Sequence, residues 1–155
     1  YEWTNLMPSC TYCNRPKKKF GKRNSFPVEG THQHIVGREG QENPIILNPI
    51  SRKKEDNPEL HFSVDFDTGL LIPRTKKGEV TAKIFGLNTR DYLVTGRLAA
   101  VKSAKSTFSE LIYNPAKKDD ALREIEAYRE GRRSYSFAFI SFGKAYLETL
   151  GLIKL

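Results

Sequence analysis

Two cysteines, Cys10 and Cys13, carry the sharpest chemistry in this 155-residue chain. No other cysteine occurs, and the two stand in the run Cys10-Thr11-Tyr12-Cys13. Thiols at this spacing can present two thiolates to one Zn²⁺ ion, and structural zinc sites are nearly always four-coordinate. Two further ligands are therefore needed. The histidines are His32, His34 and His61. The first two lie one residue apart in a Gly-rich stretch and read as loop residues, while His61 reads as solvent-facing. The second pair of zinc ligands is thus either outside the chain or replaced by something weaker. A Cys-x-x-Cys also occurs in redox proteins, but no βαβ pattern surrounds this one, which disfavours a thiol oxidoreductase. Disulfide-stapled secreted domains use more cysteines, spread further apart, so the expected compartment is cytoplasmic.

A dense basic run follows the pair. Arg15, Lys17, Lys18, Lys19, Lys22 and Arg23 face one acid, Glu2, within residues 1–24. The whole chain carries a net charge of +8. This balance favours polyanionic partners, nucleic acid before acidic membrane. No apolar run approaches the roughly 18 residues of a membrane span, and no signal-peptide pattern opens the chain. The first residue is Tyr1, which points to processing, a fragment or an upstream segment. Phe20 and Phe26 flank the basic run and could stack on bases, with core packing the simpler role.

These residues need elements to hold them. Residues 1–24 read as loop, with Pro16 suited to the first turn of a short helix. Residues 25–58 are broken up by Pro27, Gly30, Gly37, Gly40, Pro44, Pro49 and Pro58, and Ile45-Ile46-Leu47 reads as an extended piece tucked against a core. Leu60, Phe62, Val64 and Phe66 alternate with polar residues, the period of a half-buried strand. A turn at Asp67-Thr68-Gly69 leads to Leu70-Leu71-Ile72, giving a β-hairpin. The spacing then predicts helices over Lys77–Phe85 (ended by Gly86), Thr89–Tyr113 (capped by Asn88, broken by Asn114-Pro115), Asp119–Glu130 with Leu122, Ile125, Ala127 and Tyr128 inward, and Tyr135–Leu150. The aromatic set Tyr135, Phe137, Phe139, Phe142 and Tyr146 reads as core or as a docking surface. The expected class is α+β. Residues 1–58 hold the chemistry, and residues 59–155 a hairpin plus a bundle of about four helices.

Asn5-Leu6 followed by Cys10-Thr11-Tyr12-Cys13-Asn14-Arg15-Pro16-Lys17 resembles the second half of the HNH nuclease motif. The Trp3-Thr4-Asn5-Leu6 opening is similar to the subgroup found with anti-phage ATPases in Septu-type and retron-associated systems. Asn43-Pro44-Ile45-Ile46-Leu47-Asn48-Pro49, Leu60-His61-Phe62 and Ile84-Phe85-Gly86-Leu87-Asn88 extend that likeness over most of the chain. The resemblance implies a partial ββα-metal zinc-finger unit. In it Cys10 and Cys13 supply half of a structural Zn²⁺ site, Asn14 ligates a catalytic Mg²⁺ or similar divalent cation, and Asn5 orients a general-base histidine. The family's upstream half, including that histidine, is absent from this chain and is expected before Tyr1.

The function implied is a metal-dependent endonuclease acting on nucleic acid, DNA in the first instance, as an anti-phage effector with an ATPase partner and no membrane role. Arg15, Lys17, Lys18, Lys19, Lys22 and Arg23 would contact the phosphate backbone. The alternative is a non-catalytic zinc module that binds nucleic acid or protein.

Overall fold

The computed structural model describes residues 11–15, 21–22, 25–32, 42–48, 51 and 53–154. It combines helices with two small two-stranded sheets and divides into two compact units. Unit 1 comprises Tyr1–His61 and Pro73–Leu87, and unit 2 comprises Phe62–Ile72 and Asn88–Leu155.

Unit 1 begins with a single helical turn, α1 (Thr11–Asn14). Strands β1 (Val28–Glu29) and β2 (Asn43–Pro44) pair antiparallel, with Val28 opposite Pro44 and Glu29 opposite Asn43. The Ile45 amide extends this ladder by donating to the Pro27 carbonyl at 3.0 Å. Beyond it Ile46 and Leu47 are buried, as their apolar run predicts. Their neighbour is α3 (Lys76–Phe85), which the Thr75 hydroxyl caps by accepting the Gly78 amide, and which stops at Gly86. On α3 the buried Thr81 hydroxyl donates back to the Lys77 carbonyl at 2.7 Å and accepts the Leu47 amide at 2.9 Å. One side chain thus satisfies an otherwise orphaned backbone donor of the extended segment.

The alternation at residues 60–66 overstates the strand. Asn57 and Pro58 start a helical turn, α2 (Pro58–His61), in which the Asn57 carboxamide accepts the Glu59 amide at 3.1 Å. This resets the phase of the side chains. Leu60, expected inside, is 47% exposed, and His61, expected outside, is 7% exposed. The His61 ring is bonded at both nitrogens, with Nε2 2.7 Å from the Glu55 carbonyl and Nδ1 2.6 Å from the Thr75 hydroxyl. A carbonyl only accepts, so Nε2 donates to Glu55. Nearby, the Lys77 ammonium meets Asp56 Oδ1 at 2.5 Å. Burial pushes the Asp56 carboxyl up. The hydrogen bonds from Lys77 and Ser51, the Lys77 charge and the Asn48 backbone outweigh it and hold the group below its ordinary value.

Strands β3 (Phe62–Val64) and β4 (Leu71–Pro73), which belong to unit 2 up to Ile72, form the hairpin. Asp65 closes the turn between them, its carboxylate accepting the amides of Asp67 and Thr68. Three helices follow: α4 (Asp91–Tyr113), α5 (Lys118–Arg129) and α6 (Ser136–Thr149). A 3-10 turn at Pro115–Lys117 joins the first two. The bundle expected from about four helices is built here from these three, because α3 packs within unit 1. Small residues let the helices approach: Ala100 and Ala104 on α4, Ala121 and Ala127 on α5, Ala138 on α6. Phe139 fills the centre with no exposure, stacked on Tyr128 at 3.7 Å between ring centroids and tilted against Phe108 at 5.7 Å. A side chain at Gly143 would meet the Phe108 ring at 2.1 Å, so α6 presents bare backbone there. Leu122, expected inward, is 46% exposed, since Ala121 takes the inward position on the first turn of α5.

Asn88 is not the cap of α4, for Arg90 occupies that position. Its carboxamide instead accepts the Leu71 amide at 2.9 Å and donates to the Leu71 carbonyl at 2.7 Å, completing β4 as a further strand would. The buried Arg97 binds the same turn, with Nε donating to the Gly69 carbonyl at 2.6 Å and a terminal nitrogen 3.2 Å from the Asn88 oxygen. Burial, and secondarily the nearby Arg90 charge, pushes the Arg97 guanidinium below its ordinary value, with Tyr135 acting against them.

Two outcomes test this scaffold. Asn88→Ala leaves both Leu71 backbone groups unsatisfied and should cost about 2 kcal/mol in urea unfolding. Asp56→Asn should cost about 1–2 kcal/mol at neutral pH. Because the folded Asp56 carboxyl is depressed, its stabilisation is complete above the unfolded value and is lost as pH falls below about 4. The variant should therefore lose less stability than the parent between about pH 5 and 2, measured by thermal melts.

Candidate nucleic-acid interface

The thiol-bearing turn is held by backbone. In α1 the Arg15 amide donates to the Thr11 carbonyl at 2.9 Å. The Gly21 amide donates to the Ile84 carbonyl on α3 at 2.8 Å. The Lys22 amide then donates to the Cys13 carbonyl at 2.7 Å. Gly21 has φ +111°, and a Cβ there would lie 2.1 Å from the Arg15 carbonyl oxygen. Only glycine meets both demands. Cys13 and Lys22 are thus clamped to each other through the backbone.

On this frame Cys13 is half-buried, and Asn14 and Arg15 are exposed. Lys22 is half-buried, its ammonium 5.6 Å from the centre of the Phe26 ring, a cation–π contact. Asn5, Cys10, Lys17, Lys18, Lys19, Arg23, Pro16, Phe20 and His34 lie outside the described residues. Among the described residues no group of three or more His, Cys, Asp or Glu is placed to hold a metal. Of the expected metal ligands, the described residues include only Cys13 and Asn14. A thiol is a soft donor and a carboxamide oxygen a hard one, and a structural zinc needs four ligands. His32, read as a plain loop residue, is exposed and has Nδ1 3.4 Å from Glu42 Oε1. The core-packing role expected of Phe26 does not hold, because the ring is 40% exposed. No local signal reveals this, for the phenylalanine follows a basic run and precedes a proline whichever way it points.

Charge is divided unevenly. Unit 1 contains fourteen Lys and Arg against eight Asp and Glu, whereas unit 2 contains twelve against ten. In unit 2 many cations sit on acids: Lys117 on Glu110, Arg123 on Asp120, Arg129 on Glu126, Arg132 on Glu130 and Arg133 on Glu124. The Glu124 bond pushes the Arg133 guanidinium above its ordinary value. Most of the net positive charge therefore belongs to the unit that carries the thiol turn.

No family model matches the chain, and no solved structure matches it. It is similar to the Septu protein PtuB of Bacillus mycoides (strain KBAB4), 37% identical over 93 residues, which is 57% of this chain and 28% of that protein. It is also similar to the Septu protein PtuA of the same strain, 31% identical over 121 residues, 73% of this chain and 15% of that protein. The chain is thus homologous to parts of both, and the matched stretch is 28% and 15% of the length of these curated relatives. No helix among the described residues is long and apolar enough to cross a membrane.

Gly21→Ala should open the clamp. The added methyl overlaps the Arg15 carbonyl and disfavours the backbone angle, costing about 1–3 kcal/mol. Hydrogen exchange should show lost protection at the Lys22 amide, while the α4–α6 core amides keep theirs.

Proposed function

We propose that this chain is part of a metal-dependent HNH-type endonuclease that hydrolyses phosphodiester bonds of nucleic acid, DNA in the first instance. Its proposed setting is anti-phage defence, alongside an ATPase partner in the cytoplasm. The observation that carries the reading is the run from Asn5 to Lys17, in which Asn-Leu precedes Cys-x-x-Cys-Asn-x-x-Lys, within a chain similar to parts of two Septu proteins.

Cys10 and Cys13 supply two thiolates of a structural zinc site, the other ligands coming from the motif's upstream half. Asn14, exposed at the end of α1, offers a neutral oxygen to the catalytic cation. Asn5 would orient a general-base histidine, a residue type this reading requires from outside the present sequence. A divalent cation, when bound, supplies Lewis-acid polarisation of the phosphate and stabilises the leaving oxygen. Arg15, Lys17, Lys18, Lys19, Lys22 and Arg23 neutralise phosphates on either side of the scissile bond, so affinity falls steeply with salt. Support for placing this run beside Asn14 comes from the clamp, since Arg15 follows Asn14 directly and Lys22 returns to Cys13.

A nicking assay on the full-length protein with Mg²⁺ tests the assignment. Asn14→Ala, a change at an exposed position, should lower cutting by about 100-fold and leave the zinc content intact. Cys13→Ser should release zinc, read by elemental analysis. Undiminished cutting by Asn14→Ala, or zinc retained in full by Cys13→Ser, would remove these residues from their roles.

A further inference from the structure

We infer that a cleft on unit 1, formed where Phe26 and α3 approach, receives an unpaired nucleotide of the bound strand. The inference rests on the nucleic-acid part of the reading above and is independent of the metal chemistry. The cleft is open to solvent and encloses about 500 Å³, a size within the range of ligand sites. Pro27, Ile45 and Val80 contribute apolar walls, and Phe26, His32 and Lys83 also line it.

Three features select the occupant. Phe26 presents a ring that is 40% exposed, although its neighbours are apolar enough to have covered it. A flat exposed ring at a cleft is a stacking platform, and every base has a π-face to lay on it. The cations come next. Lys22 stands 5.6 Å from the Phe26 centroid, and Lys83, exposed on α3, lines the cleft from a distant part of the chain. One ammonium over a ring and a second lining the same cleft suit a base with its neighbouring phosphates. Glu42, whose side chain is 11% exposed, lies against His32. Finally, this unit holds most of the chain's net positive charge, which draws a polyanion and repels a basic peptide. A base inside a duplex has both faces covered by its stacked neighbours, so a nucleotide laid on this ring must be unpaired.

Equilibrium binding of a short fluorescein-labelled single-stranded oligonucleotide to the full-length protein, without divalent cation, reads the cleft directly. Phe26→Ala should weaken binding by about tenfold or more, and Phe26→Trp should retain it with quenched indole emission. Lys83→Gln should flatten the dependence of log affinity on log salt by about one phosphate contact. Both positions are exposed, so thermal melts should be unchanged. Parental affinity and salt slope in Phe26→Ala and Lys83→Gln, with Mg²⁺-dependent cutting intact, would overturn the cleft and leave the nuclease standing. Phe26-dependent binding without any cutting would support the cleft and sink the nuclease. Parental oligonucleotide affinity with an altered oligomeric state would give the cleft to a second copy of the chain and overturn the assignment.

Discussion

Two adjacent amides hold the N-terminal chemistry in place. Gly21 donates to Ile84 on α3, and Lys22 donates to Cys13 on α1. A helix of four residues has no stability of its own, because nucleation is unfavourable and isolated helices shorter than roughly 12–15 residues are marginal in water. The turn carrying Cys13 and Asn14 therefore exists because it is tied to a longer helix elsewhere in the chain. That helix is itself anchored by Thr75 at its start, by Thr81 against Leu47 and by the His61 ring against Thr75. The position of one thiol and one amide thus depends on hydrogen bonds made by residues about sixty positions away.

The charge pattern complements this geometry. Exposed ion pairs such as those along α5 contribute about 0–1 kcal/mol each to stability. Their larger effect is on the field, since each pair cancels locally and leaves unit 2 nearly balanced. Unit 1 keeps an excess of six positive charges. Screening in physiological salt acts over roughly 8 Å, so what matters for a polyanion is the charge near the contact rather than the chain's total. The unit with the thiol turn and the aromatic cleft is the one with that charge.

Unit 2 is built for rigidity. Alanines at the helix contacts and backbone at Gly143 bring α4, α5 and α6 close around Phe139. Tyr135, the one non-glycine residue with positive φ among the described residues, starts α6 and donates its hydroxyl to the Tyr92 carbonyl at 3.2 Å. Phe142 reaches Phe66 in the connection between β3 and β4, edge to face at 5.2 Å. The aromatic set read from the sequence as core or docking surface is thus largely occupied in packing. Its members end at Tyr146, whose phenol is pushed up by burial and by Tyr113.

By itself the sequence determined what short-range chemistry controls. The stop of α3 at Gly86, the break at Asn114-Pro115, the helices over α4 to α6, the hairpin turn and the burial of Ile46 and Leu47 all follow from caps, proline geometry and hydrophobic period. The thiol pair and the basic run are also plain in the chain, because their meaning lies in residue type and spacing. Tertiary structure alone decided that His61 is buried and doubly bonded, that Asn88 completes a strand rather than capping a helix, and that α3 belongs with the N-terminal unit. It alone set Phe26 and Lys83 on one cleft. The reason is the same in each case. A buried polar group or an exposed ring is defined by partners far along the chain, and periodicity carries no information about which distant group will arrive to meet it.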